Sequence, residues 1–306
     1  MTPHPAADDS TTSDRARPPI GRFLTVEGRT LFYHQSGSGG PAVVVLPGAG
    51  AIALDYLNLH DRVARLTTCI LYDRAGTGWS DDAALPRPLG HMTDELHALL
   101  TSAAIAPPYL LVGHSLGGAL ARHYAQRFPS HVFALLLVDP AHEDAPAHYP
   151  PEVRAMSEAY SDGPIPELPA EVLAVWRSAF ADKFHRLPPD VLEPLLDRHL
   201  ARWRTGMEEA RDAEQFVYAP LRAAGATPDV PLIVLSAMGT EVSPTQFLPV
   251  ELQRAVNEGK RMVHRAIAAS VPRGEERVLP DAVHTWVCVD QEDEVVRAIA
   301  DLLGDR

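Results

Sequence analysis

The sequence predicts an open, doubly wound α/β fold with a mostly parallel sheet, and three observations carry that expectation. Short continuous apolar runs recur along the chain, segments of helical periodicity lie between them, and one long central stretch breaks the alternation. Apolar runs of four or five residues bounded by proline or turn residues are too short for helices. They fit strands buried on both faces of a parallel sheet. Strands that alternate with helices imply crossover connections and a layer of helices on each face.

Taken in order, Phe23-Leu24-Thr25-Val26 and Thr30-Leu31-Phe32-Tyr33 flank Glu27-Gly28-Arg29 and read as a hairpin at an antiparallel edge. Ala42–Leu46, between Pro41 and Pro47, is the first buried strand, and residues 68–72, 109–112, 134–138 and 232–235 repeat its pattern. Helices are expected over 93–104 and 116–128, the second stopped by Pro129. From 141 to 228 no buried strand is visible, only helical candidates such as 171–181 and 190–216 among many prolines. This gives a core of residues 21–140 and 228–306, with residues 141–227 inserted as a helical cap over the C-terminal edge of the sheet. After the strand near 232–236 come a helix near 250–270, a short run at 277–279 and a closing helix over 292–303. The order of the strands is not readable from the sequence.

The chain has 306 residues, 46% of them hydrophobic, which is ample for such a core. Twenty-eight prolines are about twice the average usage. Pro3, Pro5, Pro18 and Pro19 sit in a head rich in Thr, Ser, Asp and Ala, so residues 1–20 are expected to be a disordered arm. The head has no basic segment followed by an apolar one, and no apolar run approaches the ~20 residues needed to span a bilayer. A cytoplasmic protein is the expectation. A net charge of −13 disfavours nucleic acid and anionic membrane surfaces as partners, because both attract clustered Lys and Arg. Cys69 and Cys288 lie in separate apolar runs and read as buried free thiols.

The sharpest chemical signal is Tyr109-Leu110-Leu111-Val112-Gly113-His114-Ser115-Leu116-Gly117-Gly118. Its Gly-x-Ser-x-Gly match lies directly between a buried strand and a helix, where Ser115 must occupy a sharp turn that projects its hydroxyl. Gly113 and Gly117 leave room for that turn. The following helix aims its N-terminus at the reaction centre. Leu46-Pro47-Gly48-Ala49-Gly50 leaves another strand at the same sheet edge, so the Ala49 and Leu116 amides are candidate oxyanion donors. A serine hydroxyl needs a base to take its proton. Of the 14 histidines, His284 has the right chain order, in a loop after the last strand. Two carboxylates remain open as the orienting acid. Asp139 ends the strand one βα unit beyond the nucleophile, which favours it, and Glu241 follows the run at 232–235. His142, Glu143, Asp144 and His148 match no metal-ligand spacing and read as an exposed polar loop. No metal or cofactor is expected.

Together, Gly113-His114-Ser115-Leu116-Gly117-Gly118, Pro47-Gly48-Ala49-Gly50, the run Asp73-Arg74-Ala75-Gly76-Thr77-Gly78-Trp79-Ser80-Asp81 and the late His284 resemble the α/β-hydrolase superfamily over residues 21–140 and 228–306. The resemblance implies an eight-stranded sheet and a Ser-His-Asp/Glu triad. It implies a bracing role in the active-site wall for the loop at Asp73-Arg74. Three departures stand out: Pro47 replaces the usual histidine before the oxyanion glycine, the lipase-type triple glycine is absent, and no Asp follows the penultimate core strand. Some relatives carry the acid where Asp139 stands. A serine at 115 argues against dehalogenase and epoxide-hydrolase chemistry, which uses an aspartate there.

The expected function is hydrolysis of a carboxylic ester through an acyl-enzyme on Ser115, with a small apolar or aromatic acyl substrate. Tyr160, Trp176, Phe180, Phe184, Trp203, Phe216 and Tyr218 of the cap are candidate contacts, although the same rings could simply pack the cap. The rivals are an acyltransferase, cyclase or lyase with the same three residues, and a non-catalytic ligand-binding protein on the same scaffold. A prolyl aminopeptidase is a weaker third, since no acidic pocket for an α-amine is visible in the cap.

Overall fold

The computed structural model describes residues 17–165, 167–242 and 248–304. Residues 1–16 of the expected arm lie outside the described residues, as does the side chain of Tyr160.

Eight strands form one sheet: β1 (Arg22–Val26), β2 (Arg29–Ser36), β3 (Ala42–Leu46), β4 (Cys69–Tyr72), β5 (Tyr109–His114), β6 (Val132–Val138), β7 (Leu232–Ala237) and β8 (Gly274–Leu279). Their order across the sheet is β1-β2-β4-β3-β5-β6-β7-β8. The β1–β2 and β2–β4 pairs are antiparallel and the remaining pairs parallel. Val26 pairs with Arg29, so the hairpin turn is the two residues Glu27 and Gly28. Their φ values of +50° and +81° suit the twist of a two-residue loop.

The helices are α1 (Leu57–Val63), α2 (Leu89–Ser102), α3 (Leu116–Arg127), α4 (Pro151–Asp162), α5 (Ala170–Lys183), α6 (Pro189–Ala201), α7 (Thr205–Ala210), α8 (Ala219–Ala223), α9 (Val250–Ala269), α10 (Val287–Asp290) and α11 (Glu292–Gly304). Alternation along the strands separates two cores, since successive side chains point to opposite faces. Val44, Leu46, Leu111 and Leu137 join Leu96, Leu99, Leu120 and Tyr124 of α2 and α3 on one face. Val43, Val45, Val112 and Leu136 meet Val63, Val295 and Ile299 of α1 and α11 on the other.

Between β6 and β7, the described residues are helical and contain no strand. Where the sequence suggests one helix over 190–216, the chain instead makes α6, α7 and a π-helical turn at Glu214–Tyr218. The breaks fit the packing. Gly206 of α7 sits so close to the loop after β3 that a Cβ on Gly50 would lie 2.5 Å from the Gly206 Cα. Asp212 then adopts φ +50° before the π turn. The short α1 and the almost wholly exposed α4 have no counterpart in the sequence expectations, since neither carries a clear apolar stripe. The charged start of β8, Gly-Glu-Glu-Arg, likewise hides an edge strand.

Arg74 ties the insertion to the core. Its guanidinium donates to the Pro47 and Gly48 carbonyls at 2.7 and 2.9 Å and takes Glu209 of α7 in a two-point contact, 2.9 Å each. Arg74 is 1% exposed and Glu209 5%. Glu209 also accepts from the Gly50 N–H at 2.8 Å. Removing one partner leaves the other charge buried and unpaired, which costs roughly 3–5 kcal/mol. Glu209→Ala is therefore expected to lower the unfolding free energy by about that amount. A loss under about 1 kcal/mol in urea melts, the range of an exposed pair, would contradict this reading.

Candidate active site

Ser115 stands at the junction of β5 and α3 with φ +53° and ψ −118°, a backbone conformation that costs a non-glycine residue about 1–3 kcal/mol. The turn holds because its neighbours approach without side chains. A Cβ on Gly113 would meet the Gly117 carbonyl oxygen at 2.3 Å, and one on Gly117 would meet that of Leu46 at 2.0 Å. The Ser115 N–H donates to Val138 O at 3.1 Å, and its carbonyl accepts from Ala141 at 2.9 Å, so the turn is stitched to the end of β6.

Asp139 leaves β6 in a similar conformation, with φ +44°, and is 1% exposed. Its Oδ1 accepts from the Ala237 N–H at 2.9 Å. Its Oδ2 accepts from Lys260 Nζ at 2.6 Å and from His284 Nδ1 at 2.5 Å. Burial alone would push this carboxyl up. The Lys260 ammonium and the hydrogen bond from His284 outweigh burial and hold the group well below the ordinary carboxylate range. With Nδ1–H directed at Asp139, the other ring nitrogen of His284 is the acceptor for the Ser115 Oγ–H, 3.1 Å away. Ser115, His284 and Asp139 thus come together in one hydrogen-bonded line. Glu241 is placed elsewhere: the Gln253 amide clamps its backbone at 2.8 Å on both N–H and C=O. Among the described residues its carboxylate meets no histidine.

The loop after β3 is equally well fixed. Gly48 N–H donates to the Tyr56 hydroxyl at 3.1 Å and Gly50 N–H to Glu209. Between them the Ala49 N–H has no partner among the described residues, and neither does the N–H of Leu116, the first residue of α3. A Cβ on Gly48 would sit 3.3 Å from the Ser115 Cβ, so this loop runs beside the serine. The Asp73 carboxylate, fully buried, accepts from the Ala53 and Trp79 N–H groups at 2.7 and 2.9 Å. Burial raises its pKa to about 6. Together with Arg74, that loop braces the wall of the site.

Several contributors escape a reading by motif alone. Lys260 is one, although α9 shows a signal in its spacing. Gln253, Asn257, Lys260 and His264 recur at intervals of three or four on its buried face, where apolar residues are the norm. His264 donates from Nε2 to Pro140 O at 3.2 Å, beside Asp139. His114 is another. Its Nε2–H donates to the backbone carbonyl of His284 at 2.9 Å, so its Nδ1 accepts from Tyr56, 2.8 Å away. The loop at His142-Glu143 is not the exposed polar loop the sequence suggests. Both residues are buried, and Glu143 pairs with Arg122 at 2.7 and 3.0 Å.

Two cavities meet at Ser115 and His284. One, of about 300 Å³, is walled by Trp176, Phe180, Phe184, Trp203, Met207 and Trp286 and reaches Ala49. The other, of about 310 Å³, lies on the Asp139 side and includes Tyr149, Tyr218, Asn257 and Lys260. Of the aromatic residues singled out in the sequence, Phe216 packs on the core instead. Cys69 and Cys288 are buried free thiols.

The fold and the arrangement at Ser115 are those of the α/β-hydrolase class of proteins. The chain belongs to the alpha/beta hydrolase family, whose model matches residues 43–298. Among curated proteins it is similar to a cis-3-alkyl-4-alkyloxetan-2-one decarboxylase of Shewanella oneidensis, 32% identical over 120 residues, which are 38% of this chain and 37% of that protein. It is also similar to a human (lyso)-N-acylphosphatidylethanolamine lipase, 35% identical over 118 residues, 38% and 34% of the two chains. The matched stretch is thus little more than a third of each relative's length. Among solved structures, a hydrolase from Pseudomonas aeruginosa PA01 aligns with a TM-score of 0.64 and 21% identity, over 93% of this chain and 98% of that one. That likeness is one of fold. Among the described residues, no helix is long and apolar enough to cross a membrane.

His114 gives the site a pH dependence. Burial, aided by the nearby His284, pushes its pKa from 6.5 down to about 3. Between those values the unfolded chain binds a proton that the folded protein refuses. Stability from this group is therefore complete above pH 6.5 and falls as the pH drops towards 3. From pH 7 to 5 it should remove about 2 kcal/mol of unfolding free energy in the wild type but not in His114→Gln. Urea melts at both pH values test this, and equal pH dependence in the two proteins would refute it.

Proposed function

We propose that this chain hydrolyses carboxylic esters of apolar or aromatic acids through an acyl-enzyme on Ser115. The observation that carries the reading is the unbroken line from Ser115 Oγ through His284 to the buried Asp139 carboxylate, 3.1 and 2.5 Å. In this reading His284 Nε2 takes the hydroxyl proton as Ser115 Oγ attacks the carbonyl carbon. The Ala49 and Leu116 N–H groups receive the developing oxyanion. His284 then returns the proton to the departing alkoxide oxygen, and water repeats the sequence to free the acid. Asp139 fixes the ring tautomer and stabilises the imidazolium. The aromatic walls contributed by Trp176, Phe180 and Trp286 support an apolar acyl group. A lyase acting at the same three residues is the second reading, favoured by the similarity to the decarboxylase.

A fluorophosphonate probe should label the wild type at Ser115 and leave Ser115→Ala unlabelled. Absence of labelling in the folded wild type would refute the serine-nucleophile reading. Asp139→Asn should lower kcat on an activated ester by roughly 10³–10⁴-fold, as expected when the imidazole loses its orienting charge. Glu241→Gln should stay within about threefold of the wild type, since its carboxylate lies off the hydrogen-bonded line. The reverse pattern would move the acid to Glu241. Release of carbon dioxide and an alkene, rather than the ring-opened β-hydroxy acid, from a β-lactone would select the lyase.

A further inference from the structure

Two cavities meet at Ser115, and the one on the Asp139 side, here the tyrosine lobe, carries neutral polar groups on a mainly apolar wall that the proposed hydrolysis does not use. On the Asp139 side, Tyr149 and Tyr218 line the cavity, and among the described residues neither hydroxyl has a hydrogen-bond partner. Burial pushes both phenols up, Tyr218 to about 12, so each stays a neutral group that can donate and accept. Tyr218 ends the π-helical turn at Glu214–Tyr218, a local irregularity that often marks functional positions. Asn257 gives one Nδ2–H to Gly239 O at 3.0 Å, which leaves its second N–H to donate and its Oδ1 to accept. The one lysine or arginine lining this cavity, Lys260, is paired with Asp139 at 2.6 Å. The lobe therefore offers neutral donors and acceptors without a spare positive charge.

Hydroxyl groups fit such a lining because each both donates and accepts. An anion would meet no unpaired cation there, and an aliphatic chain would cover three polar groups without satisfying them. Position bears on which half of the ester enters. The acyl carbonyl must reach the Ala49 N–H, which lines the aromatic lobe, whereas the leaving oxygen must be within reach of His284 Nε2. Both lobes reach Ser115 and His284, but only the aromatic one reaches Ala49, which leaves the tyrosine lobe for the alcohol half.

Resting on the hydrolase reading, we propose that the tyrosine lobe binds the leaving alcohol and that this alcohol is an uncharged polyol. The preferred substrate is then a polyol monoester of an apolar or aromatic acid. On cleavage, the ester C–O bond breaks, the alkoxide oxygen takes its proton from His284, and the free polyol departs past Tyr149 and Tyr218.

The test compares the 2,3-dihydroxypropyl, butyl and glycerol-3-phosphate esters of 4-phenylbutyric acid, with each kcat/KM corrected for the ester's alkaline hydrolysis rate. The dihydroxypropyl ester should exceed the butyl ester by at least about tenfold, the scale of one or two hydrogen bonds to neutral groups. In the double variant Tyr149→Phe/Tyr218→Phe, with its fold checked by thermal melts, that ratio should fall to within about twofold of unity. Equal use of the butyl and dihydroxypropyl esters, a ratio unmoved in the double variant, or preference for the phosphate ester would each overturn the polyol assignment and leave the hydrolase reading standing. Failure to hydrolyse any of the three, together with failure of Ser115 to label, removes both.

Discussion

The site depends on one backbone constraint: the sharp turn that carries Ser115 out of β5 and straight into α3. A residue held at φ +53° and ψ −118° persists only where its surroundings leave no relaxed alternative. Here three glycines supply that condition. Any side chain at Gly113, Gly117 or Gly118 would collide with Gly117 O, Leu46 O or Pro140 respectively. The close approach this permits brings the ends of β3, β5 and β6 together, and all the groups proposed to react except His284 hang from those three ends. The loop carrying the Ala49 N–H follows β3, Ser115 follows β5 and Asp139 follows β6. β3 pairs with β4 on one side and β5 on the other, so the sequence order reverses there, and open α/β sheets bind ligands at such reversals.

The second organising feature is the balance of charge around Asp139. A buried carboxylate facing a single neutral imidazole would be poorly compensated and inclined to take up a proton. Lys260 prevents this by contributing a full positive charge at 2.6 Å, and the Ala237 N–H adds a fixed donor. Lys260 and His284 share the same oxygen, Oδ2. The lysine therefore secures the ionised state of the acid while drawing some of its field away from the imidazole. An acid placed after β6 has α9 packed beside it, and α9 is the element that provides this cation. The position of the carboxylate and the polar residues on the inner face of α9 are thus two sides of one arrangement.

How legible this was in the sequence varies with the range of the interactions involved. Buried strands such as Ala42–Leu46 announce themselves because both faces are covered, so every residue is apolar. Gly-His-Ser-Leu-Gly is legible because local sterics demand small residues at fixed offsets from the serine. The placement of His284 beside Ser115 was readable from chain order. The order of the strands, and with it the meeting of Asp139 and His284 across 145 residues, depends on packing that no local pattern encodes. The same holds for the insertion: an apolar periodicity over 190–216 looks like one helix, but the close contact of Gly206 with Gly50 and the Arg74–Glu209 pair divide it. His142 and Glu143 looked like solvent-facing polar residues because their compensation, Arg122, lies on a different element.

Arg74 joins these threads. Its guanidinium holds the Pro47 and Gly48 carbonyls, so it sets the path of the loop that presents the Ala49 N–H. The same group grips Glu209, which in turn binds the Gly50 N–H on the far side of Ala49. With Gly48 N–H given to Tyr56, both neighbours of the Ala49 amide are occupied and that amide alone is left to face the cavity. Tyr56 also donates to His114, whose other nitrogen holds the backbone of His284. A displacement of α7 would therefore be felt at the Ala49 loop through Glu209 and at the imidazole through Tyr56 and His114. The aromatic lobe is walled by α5, α6 and the turn leading into α7 on one side and by Trp286 of the His284 loop on the other. The segment that shapes the substrate cavity is thus mechanically tied to the groups proposed to act on the substrate. A change in the insertion that alters specificity should for that reason rarely leave the turnover rate untouched.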